Sequence, residues 1–234
     1  MRELQTQLQT DTWVVATWHE YIQAIERADE KNKCYYHNQR MRIEIQAVGN
    51  DHASDHTIII SVISLFAATK NINLNGKDNC TYRKTGFNDA QPDVSYYINE
   101  NADVVPYGTS IINLDIYPPP ALVIEVANSL LADDKGEKRL LYEDLGVSEY
   151  WIVDVQNIQV IAFTIENGGS RRITQSQVLP GLTIALLNEA FGRSRQMNQS
   201  SSLCLVINSI SRLIELTHTL RIQERFWLKH GSIH

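Results

Sequence analysis

The amino-acid sequence predicts a mixed α/β fold in which a central mixed β-sheet is flanked by helices. Its composition, 43% hydrophobic and 21% charged over 234 residues, is that of a globular protein with room for a full α/β core. Residues 122–126 form an apolar, β-branched run of the kind found in a central strand. Strand-like and helix-like patterns follow one another along the chain, which is typical of a sheet covered by helices.

The first half of the chain alternates between predicted helices and strands. Apolar side chains recur at helical spacing around Trp18 and again, more densely, around Val62. Between these helices, Ile43 and Ile45 alternate with Glu44, which is the pattern of a strand with one buried face. The predicted elements are a helix at residues 13–27, a strand at 42–48, a helix at 53–69, and strands at 80–84 and 93–98.

The second half is organised around the apolar strand at residues 122–126. Three prolines precede this strand and set its beginning. A helix that carries Lys135 and Lys138 must then fold back over the sheet, because residues 150–155 have the pattern of the following strand. A further strand is predicted at residues 159–165, after a short turn.

Glu125 is a lone carboxylate inside this buried strand. An ionised carboxylate in an apolar interior is costly unless a cation meets it. The next segment of the chain offers Lys135 and Lys138 for that role. A strand carboxylate followed by a lysine-bearing helix provides groups from which a divalent-metal site can form.

Charge and cysteine content limit the classes of protein. The formal net charge of -6 argues against a protein that coats nucleic acid non-specifically, although it leaves room for a small basic groove. Cys34, Cys80 and Cys204 show no CxxC or Cys/His spacing, so we expect neither a disulfide framework nor a zinc site. No apolar run approaches about 18 residues and the start of the chain lacks a signal peptide, so we expect a cytoplasmic protein without a membrane segment.

The chain also carries four motifs in a defined order. They are Gln-Pro-Asp-Val-Ser at residues 91–95, Pro-Pro-x-Leu-Val-Ile-Glu-Val at 119–126, Asp-x-x-x-Lys-x-x-x-Tyr at 134–142, and Gly-Val-x-Glu-Tyr-Trp-Ile-Val-Asp at 146–154. Together they resemble the Uma-two (Uma2) family of restriction endonucleases, a branch of the PD-(D/E)XK nuclease superfamily. The resemblance implies a restriction-endonuclease-like fold, with helices on both sides of the mixed sheet, and a Mg²⁺-dependent phosphodiesterase centre.

By the same resemblance, Asp93 and Glu125 are the acidic residues of this centre. Two carboxylates and the backbone carbonyl of Val126 are hard oxygen ligands, which suit Mg²⁺ or, in its place, Mn²⁺. The superfamily pattern has a lysine two residues after the acidic strand residue, but Ala127 stands there in this chain. The cation that offsets transition-state charge is therefore missing from its usual place.

Lys138 is the substitute that the family's helix motif implies. The alternative is an exposed salt bridge with Asp134, four residues earlier on the same helix. Another departure is Ala121, at a position where the family commonly has aspartate. Glu44 and His52 resemble frequently filled family positions and are candidate auxiliary groups. The alternative for His52, just after a Gly-Asn-Asp turn, is a helix cap or a hydrogen-bonded surface histidine.

The resemblance covers about residues 35–198 and divides the chain into three parts. Leu203, Ile207, Ile210 and Ile214 form one helical stripe near the C-terminus. That stripe predicts a helix docked on the body, with a phosphate-binding basic helix and a replaced chain end as alternatives. The predicted parts are an N-terminal helical extension at residues 1–34, the restriction-endonuclease-like domain at 35–198, and a helical tail of uncertain role at 199–234.

Two functional classes follow from the motifs. Asp93, Glu125 and Lys138 together favour a Mg²⁺-dependent DNA endonuclease. Ala127, Ala121 and the acidic composition favour a nuclease-derived protein that binds DNA or another partner without cutting it. Cutting of duplex DNA predicts a homodimer, because one such site cuts one strand.

Overall fold

The computed structural model describes residues 10–29, 31–45, 49–127 and 131–210. Within these ranges the chain forms two six-stranded sheets with helices packed against them, which confirms the predicted α/β class. The helices of the described residues are α1 (Trp18–Ile25), α2 (Asn50–Lys70), α3 (Leu131–Lys135), α4 (Glu137–Leu145), α5 (Ile184–Ser194) and α6 (199–210). No helix in these ranges is long and apolar enough to cross a membrane.

The strands divide into a central sheet and a second sheet. The central sheet has the order β12-β11-β10-β9-β7-β4, and the second has the order β1-β3-β2-β6-β5-β8. In chain order the strands are β1 (Val14–Val15), β2 (Asn32–His37), β3 (Arg40–Ile45), β4 (Leu74–Asp78), β5 (Thr81–Lys84), β6 (Asn88–Ala90), β7 (Val94–Ile98), β8 (Ile111–Asn113), β9 (Leu122–Ala127), β10 (Glu149–Asp154), β11 (Gln159–Glu166) and β12 (Gly169–Ile173).

The central sheet is the mixed sheet that the sequence predicts. Strands β9 and β10 are parallel, and the other pairs of neighbours are antiparallel. Helices α3 and α4 form the crossover between the parallel pair, as the lysine-bearing helix was expected to do. The even-numbered residues of β9 pack in the core beneath α2 and α5, whereas its odd-numbered residues face α4. Glu125 therefore lies on the α4 side of the sheet.

The second sheet lies mostly outside the sequence predictions, which found only β3 and β5 of its six strands. Its strands are short, and β6 and β8 have three residues each, too few to show an alternating pattern. The sheet brings β2 close to α4 and β9, because Tyr35 of β2 packs in the same apolar cluster as Tyr142 and Ala127. This contact places polar residues of the second sheet beside Glu125.

Two boundaries differ from the sequence predictions. The helix predicted at residues 13–27 is shorter, since Thr17 caps α1 through a reciprocal capping box with Glu20, and β1 precedes it. The predicted strand at 42–48 begins earlier, at Arg40, and its last three residues lie outside the described ranges.

The C-terminal tail is described only as far as residue 210. Val206 and Ile210 of α6 are buried in the core beside α5, and Leu203 packs against it, so this part of the predicted stripe is docked on the body. Ile214 and the rest of the tail, like residues 1–9 of the predicted N-terminal extension, lie outside the described residues. The predicted division at residues 34 and 35 falls within β2.

Asp89 on β6 provides a test of how the second sheet is stabilised. Burial raises the pKa of Asp89 to about 6, although Arg83, at 2.6 Å, opposes the shift. Because this pKa lies above the ordinary value of 3.8, the stabilising contribution of Asp89 is complete below about pH 4 and is lost as the pH rises through about 6. We expect Asp89→Asn to flatten the pH dependence of the free energy of unfolding in this window by up to about 3 kcal/mol.

Urea denaturation of both proteins at several pH values between about 4 and 7 measures this difference. Asp103→Asn, at an exposed position, is the matched control and should keep the wild-type pH profile. An Asp89→Asn profile parallel to that of the wild type contradicts the assignment.

Candidate metal centre

Asp93 and Glu125 are close to each other along the register of the central sheet. Strands β7 and β9 are antiparallel, with Val94 opposite Ile124. Asp93 directly precedes β7 and Glu125 is the next residue of β9, so the same register, continued by one residue, sets Asp93 opposite Glu125. Both residues are buried, with 4% and 2% of their surface exposed. The two carboxyls are therefore in the interior, where Glu125 contacts Tyr142 of α4 and Asp93 also approaches His52 of α2.

Asp93 is stabilised as an anion in the metal-free protein. Its Oδ1 is 2.5 Å from the Nζ of Lys33, and its Oδ2 accepts a hydrogen bond of 2.6 Å from the backbone N–H of Val126. Burial alone raises the pKa of Asp93, but the Lys33 ammonium and these hydrogen bonds outweigh burial and hold the pKa at about 2. Asp93 is thus ionised and fixed in orientation at neutral pH.

Glu125, unlike Asp93, has a pKa above its ordinary value. Its Oε1 accepts hydrogen bonds from the hydroxyls of Tyr142, at 2.7 Å, and Tyr35, at 3.4 Å. Burial raises the pKa of Glu125 to about 8, because the opposing effect of nearby lysines is incomplete and the charge of Asp93 adds to the increase. Glu125 therefore binds a proton more strongly than an ordinary glutamate does. Two adjacent carboxyls with such different affinities for a proton are typical of functional sites.

Lys138 lies at the centre of this cluster. The ammonium of Lys138 is 2.8 Å from Glu44, 3.1 Å from Asp134 and 3.8 Å from Glu125, and it lies 4.6 Å from the ring centroid of Tyr35. Burial lowers its pKa, but the surrounding carboxylates outweigh burial and raise the pKa well above its ordinary range. The lysine is therefore charged even though only 1% of it is exposed.

The alternative interpretation of Lys138, an exposed salt bridge with Asp134, is wrong. The two residues are paired at the predicted spacing, but their side chains are only 2% and 3% exposed. Lys135, the other candidate lysine, is exposed at the end of α3 and makes no ion pair with the carboxylates of the cluster. Burial thus distinguishes two lysines that stand three residues apart in the sequence.

Glu44 and His52, the predicted auxiliary residues, both reach the cluster. Glu44 bridges Lys138 and Arg42, so it positions Lys138. The Nε2 of His52 is 3.7 Å from Asp93 Oδ1. Burial lowers the pKa of His52 despite the nearby Asp93 carboxylate, which leaves the ring neutral at pH 7. His52 is buried, so the alternative of a surface histidine is wrong.

Sequence reasoning missed Lys33 and Tyr35, the two residues that β2 brings to the carboxylates. They stand two residues apart on one strand and therefore share a face. The only sequence signal for them is that a lysine and a tyrosine stand two residues apart. This spacing does not predict a shared face unless the segment is already known to be a strand. Tyr35 also packs with Ala127, whose methyl group stands where the superfamily has its strand lysine. That position is filled by apolar contacts in this protein.

The chemistry of these donors fits a hard divalent cation. Asp93 and Glu125 supply carboxylate oxygens from adjacent strands, and the carbonyl of Val126 lies in the same strand segment. Within the described ranges no three His, Cys, Asp or Glu side chains are already grouped around a common point. Lys33 engages Asp93, and tyrosine hydroxyls engage Glu125. The predicted metal ligands therefore remain a prediction, with which the chemistry of these oxygen donors is compatible.

The site thus combines two buried carboxyls, Asp93 and Glu125, with a helix lysine 3.8 Å from Glu125. The family model of Uma2, described as putative restriction endonuclease, matches residues 18–199. The chain belongs to this family.

Comparison with solved structures finds a putative nuclease of DUF820 from Anabaena variabilis, with a TM-score of 0.49 and 15% sequence identity. The match covers 67% of this chain and 83% of that one. Comparison with curated proteins gives no match.

Proposed function

We propose that this protein is a Mg²⁺-dependent endonuclease that hydrolyses phosphodiester bonds in DNA. One observation carries the proposal: two buried carboxyls, Asp93 directly before β7 and Glu125 on the neighbouring strand β9, lie in the interior, and a buried lysine is 3.8 Å from Glu125. A structural ion pair alone does not require a second carboxyl beside the first, because two adjacent carboxyls oppose each other's ionisation. A metal site requires them both.

In this proposal Asp93, Glu125 and the Val126 carbonyl hold the cation. Mg²⁺, when bound, polarises the phosphate and lowers the pKa of a water ligand. Glu125 gives up its proton on binding, and the Tyr142 hydroxyl keeps its carboxylate in orientation. Lys138 would supply a fixed positive charge beside Glu125, which would stabilise the negative charge that develops on the phosphate and the leaving oxygen.

Conversion of supercoiled plasmid to the nicked form tests this function. We expect nicking with Mg²⁺ or Mn²⁺, and none with EDTA, because the ion supplies both the nucleophile and charge neutralisation. RNA of the same sequence, assayed in parallel, identifies the substrate. Linear product that appears together with nicked product indicates a homodimer that cuts both strands. Intact plasmid with both metals, at protein concentrations that saturate the DNA, contradicts the proposal.

A non-catalytic role in DNA or partner binding is the second candidate. It is favoured by the closure of the site, since the side chains of Lys33, Asp93, Glu125 and Lys138 are all 6% exposed or less. Fluorescence anisotropy with a labelled DNA duplex separates the two functions. Metal-independent DNA binding without cleavage supports the second.

A further inference from the structure

Lys33 is a buried ammonium to which the predicted metal centre gives no role. It lies on β2 of the second sheet, and 4% of its side chain is exposed. Its Nζ is 2.5 Å from Asp93 Oδ1, so the contact joins the second sheet to the start of β7 in the central sheet. A buried ammonium without a partner is very unfavourable, and the contact with Asp93 is therefore what holds Lys33 in place.

Lys33 and Lys138 differ in the number of carboxylates that neutralise them. Lys138 has Glu44, Asp134 and Glu125 within 3.8 Å. For Lys33, the described residues provide a single carboxylate ion pair, with Asp93. A competitor for Asp93 would thus remove the one carboxylate in direct contact with Lys33 and leave it the more distant charges of Glu44 and Glu125. Lys138 would keep two carboxylates in contact if Glu125 turned to another cation.

A divalent cation competes with Lys33 for the same carboxylate oxygen. Asp93 Oδ2 is held by the backbone N–H of Val126, whereas the partners of Oδ1 are side chains, Lys33 at 2.5 Å and His52 at 3.7 Å. Oδ1 is therefore the oxygen whose present partner can move away. Mg²⁺ binds oxygen at about 2.1 Å, closer than an ammonium does. Two cations on one oxygen repel each other strongly in an interior of low dielectric constant. Metal binding to Asp93 therefore requires the ammonium of Lys33 to move away.

We infer that Lys33 is a second cation of this active site: it holds Asp93 in the metal-free protein and is displaced towards the substrate phosphate when metal binds. The inference rests on the proposed nuclease function. A lysine suits this movement, because its charge is compact and its four-carbon stem is flexible. Its ammonium provides positive charge beside the carboxylate pair, where Ala127 provides none.

Calorimetric titration of Mg²⁺ into the DNA-free protein tests the displacement without reference to activity. We expect Lys33→Met to bind Mg²⁺ about ten-fold more tightly than the wild type, or more, because the competing charge is gone. We expect Lys33→Arg to bind Mg²⁺ more weakly, because a guanidinium keeps the charge and holds a carboxylate through two hydrogen bonds. Unchanged or weaker binding in Lys33→Met overturns the inference.

Two controls keep the result interpretable. Lys77→Met removes a partly buried lysine of β4, whose Nζ donates a hydrogen bond of 3.0 Å to Asn75, and should leave Mg²⁺ affinity at the wild-type value. A ten-fold gain in Mg²⁺ affinity in Lys77→Met would show that the effect comes from the change in net charge, and it would overturn the inference. If Lys33→Met does not fold, Lys33→Arg decides: affinity equal to or tighter than wild type overturns the displacement.

Cleavage assays on the same variants separate this inference from the proposed function. We expect Lys33→Met to bind metal more tightly yet cleave DNA on the order of 10²-fold more slowly, the scale for loss of one preorganised charge. If the affinities follow the expected order but the wild type does not cleave, the nuclease function fails and the displacement stands. If the wild type cleaves but Lys33→Met binds Mg²⁺ no more tightly, the displacement fails and the nuclease function stands.

Discussion

Glu125→Gln is expected to abolish Mg²⁺-dependent cleavage while leaving the protein as stable as the wild type. Burial raises the pKa of Glu125 to about 8, so the fold favours the neutral carboxyl over the carboxylate. Glutamine has nearly the same shape as that neutral form and can keep the hydrogen bond from Tyr142. It cannot become an anionic ligand, and a carboxamide is a far poorer ligand for Mg²⁺. This variant thus separates metal binding from folding.

Asp93→Asn should also abolish cleavage, but at a cost in stability. Asp93 is ionised and paired with Lys33, and its replacement leaves a buried ammonium without a counterion. Removal of one partner from such a pair costs about 3–5 kcal/mol.

Plasmid nicking rates and urea denaturation measure both variants, with Glu100→Gln, at an exposed position, as the control. If Glu125→Gln cleaved at the wild-type rate, Glu125 would not be part of the metal site. Equal destabilisation of the two variants would contradict their different ionisation.

Lys138→Met is expected to slow cleavage on the order of 10²-fold or more, because it removes a preorganised charge beside Glu125. It should also destabilise the protein by about 3–5 kcal/mol, since Glu44 and Asp134 lose the ammonium that lies between them. Lys138→Arg should restore little activity, because a planar guanidinium does not occupy the place of a compact ammonium.

Lys135→Met is the matched control for Lys138→Met. It removes an exposed lysine three residues earlier in the same crossover, and both cleavage and stability should stay at wild-type values. Rates are compared below the melting temperature of the least stable variant, so that loss of activity does not reflect unfolding. Undiminished cleavage by Lys138→Met, together with a loss in Lys135→Met, would show that the wrong lysine is assigned.

Much of the central sheet was predictable because its signals are local. The apolar run of β9 and the helical spacing of α2 depend on neighbours in sequence, and both elements are present close to their predicted bounds. Glu125 was predicted to need a cation for an equally general reason, the cost of a charge in an apolar strand. That expectation led to Lys138, which does contact it.

The second sheet was not predictable from the same signals. Strand β6 (Asn88–Ala90) consists of Asn, Asp and Ala, residues that are depleted in strands. It becomes a strand because neighbouring chain segments offer backbone partners, and such pairing depends on tertiary contacts. Without β2 as a strand, Lys33 and Tyr35 could not be placed on a common face.

The sequence by itself therefore determined which residues had to be buried and which buried charge required a partner. The tertiary structure added partners that the sequence did not indicate, since Lys33 meets Asp93 across 60 positions of the chain and Tyr35 meets Glu125 across 90. It also set the opposite directions of the two pKa shifts, downward for Asp93 and upward for Glu125. The physical reason is that a pKa depends on desolvation and on charges within a few ångströms, and these distances are fixed only when separate strands pack together.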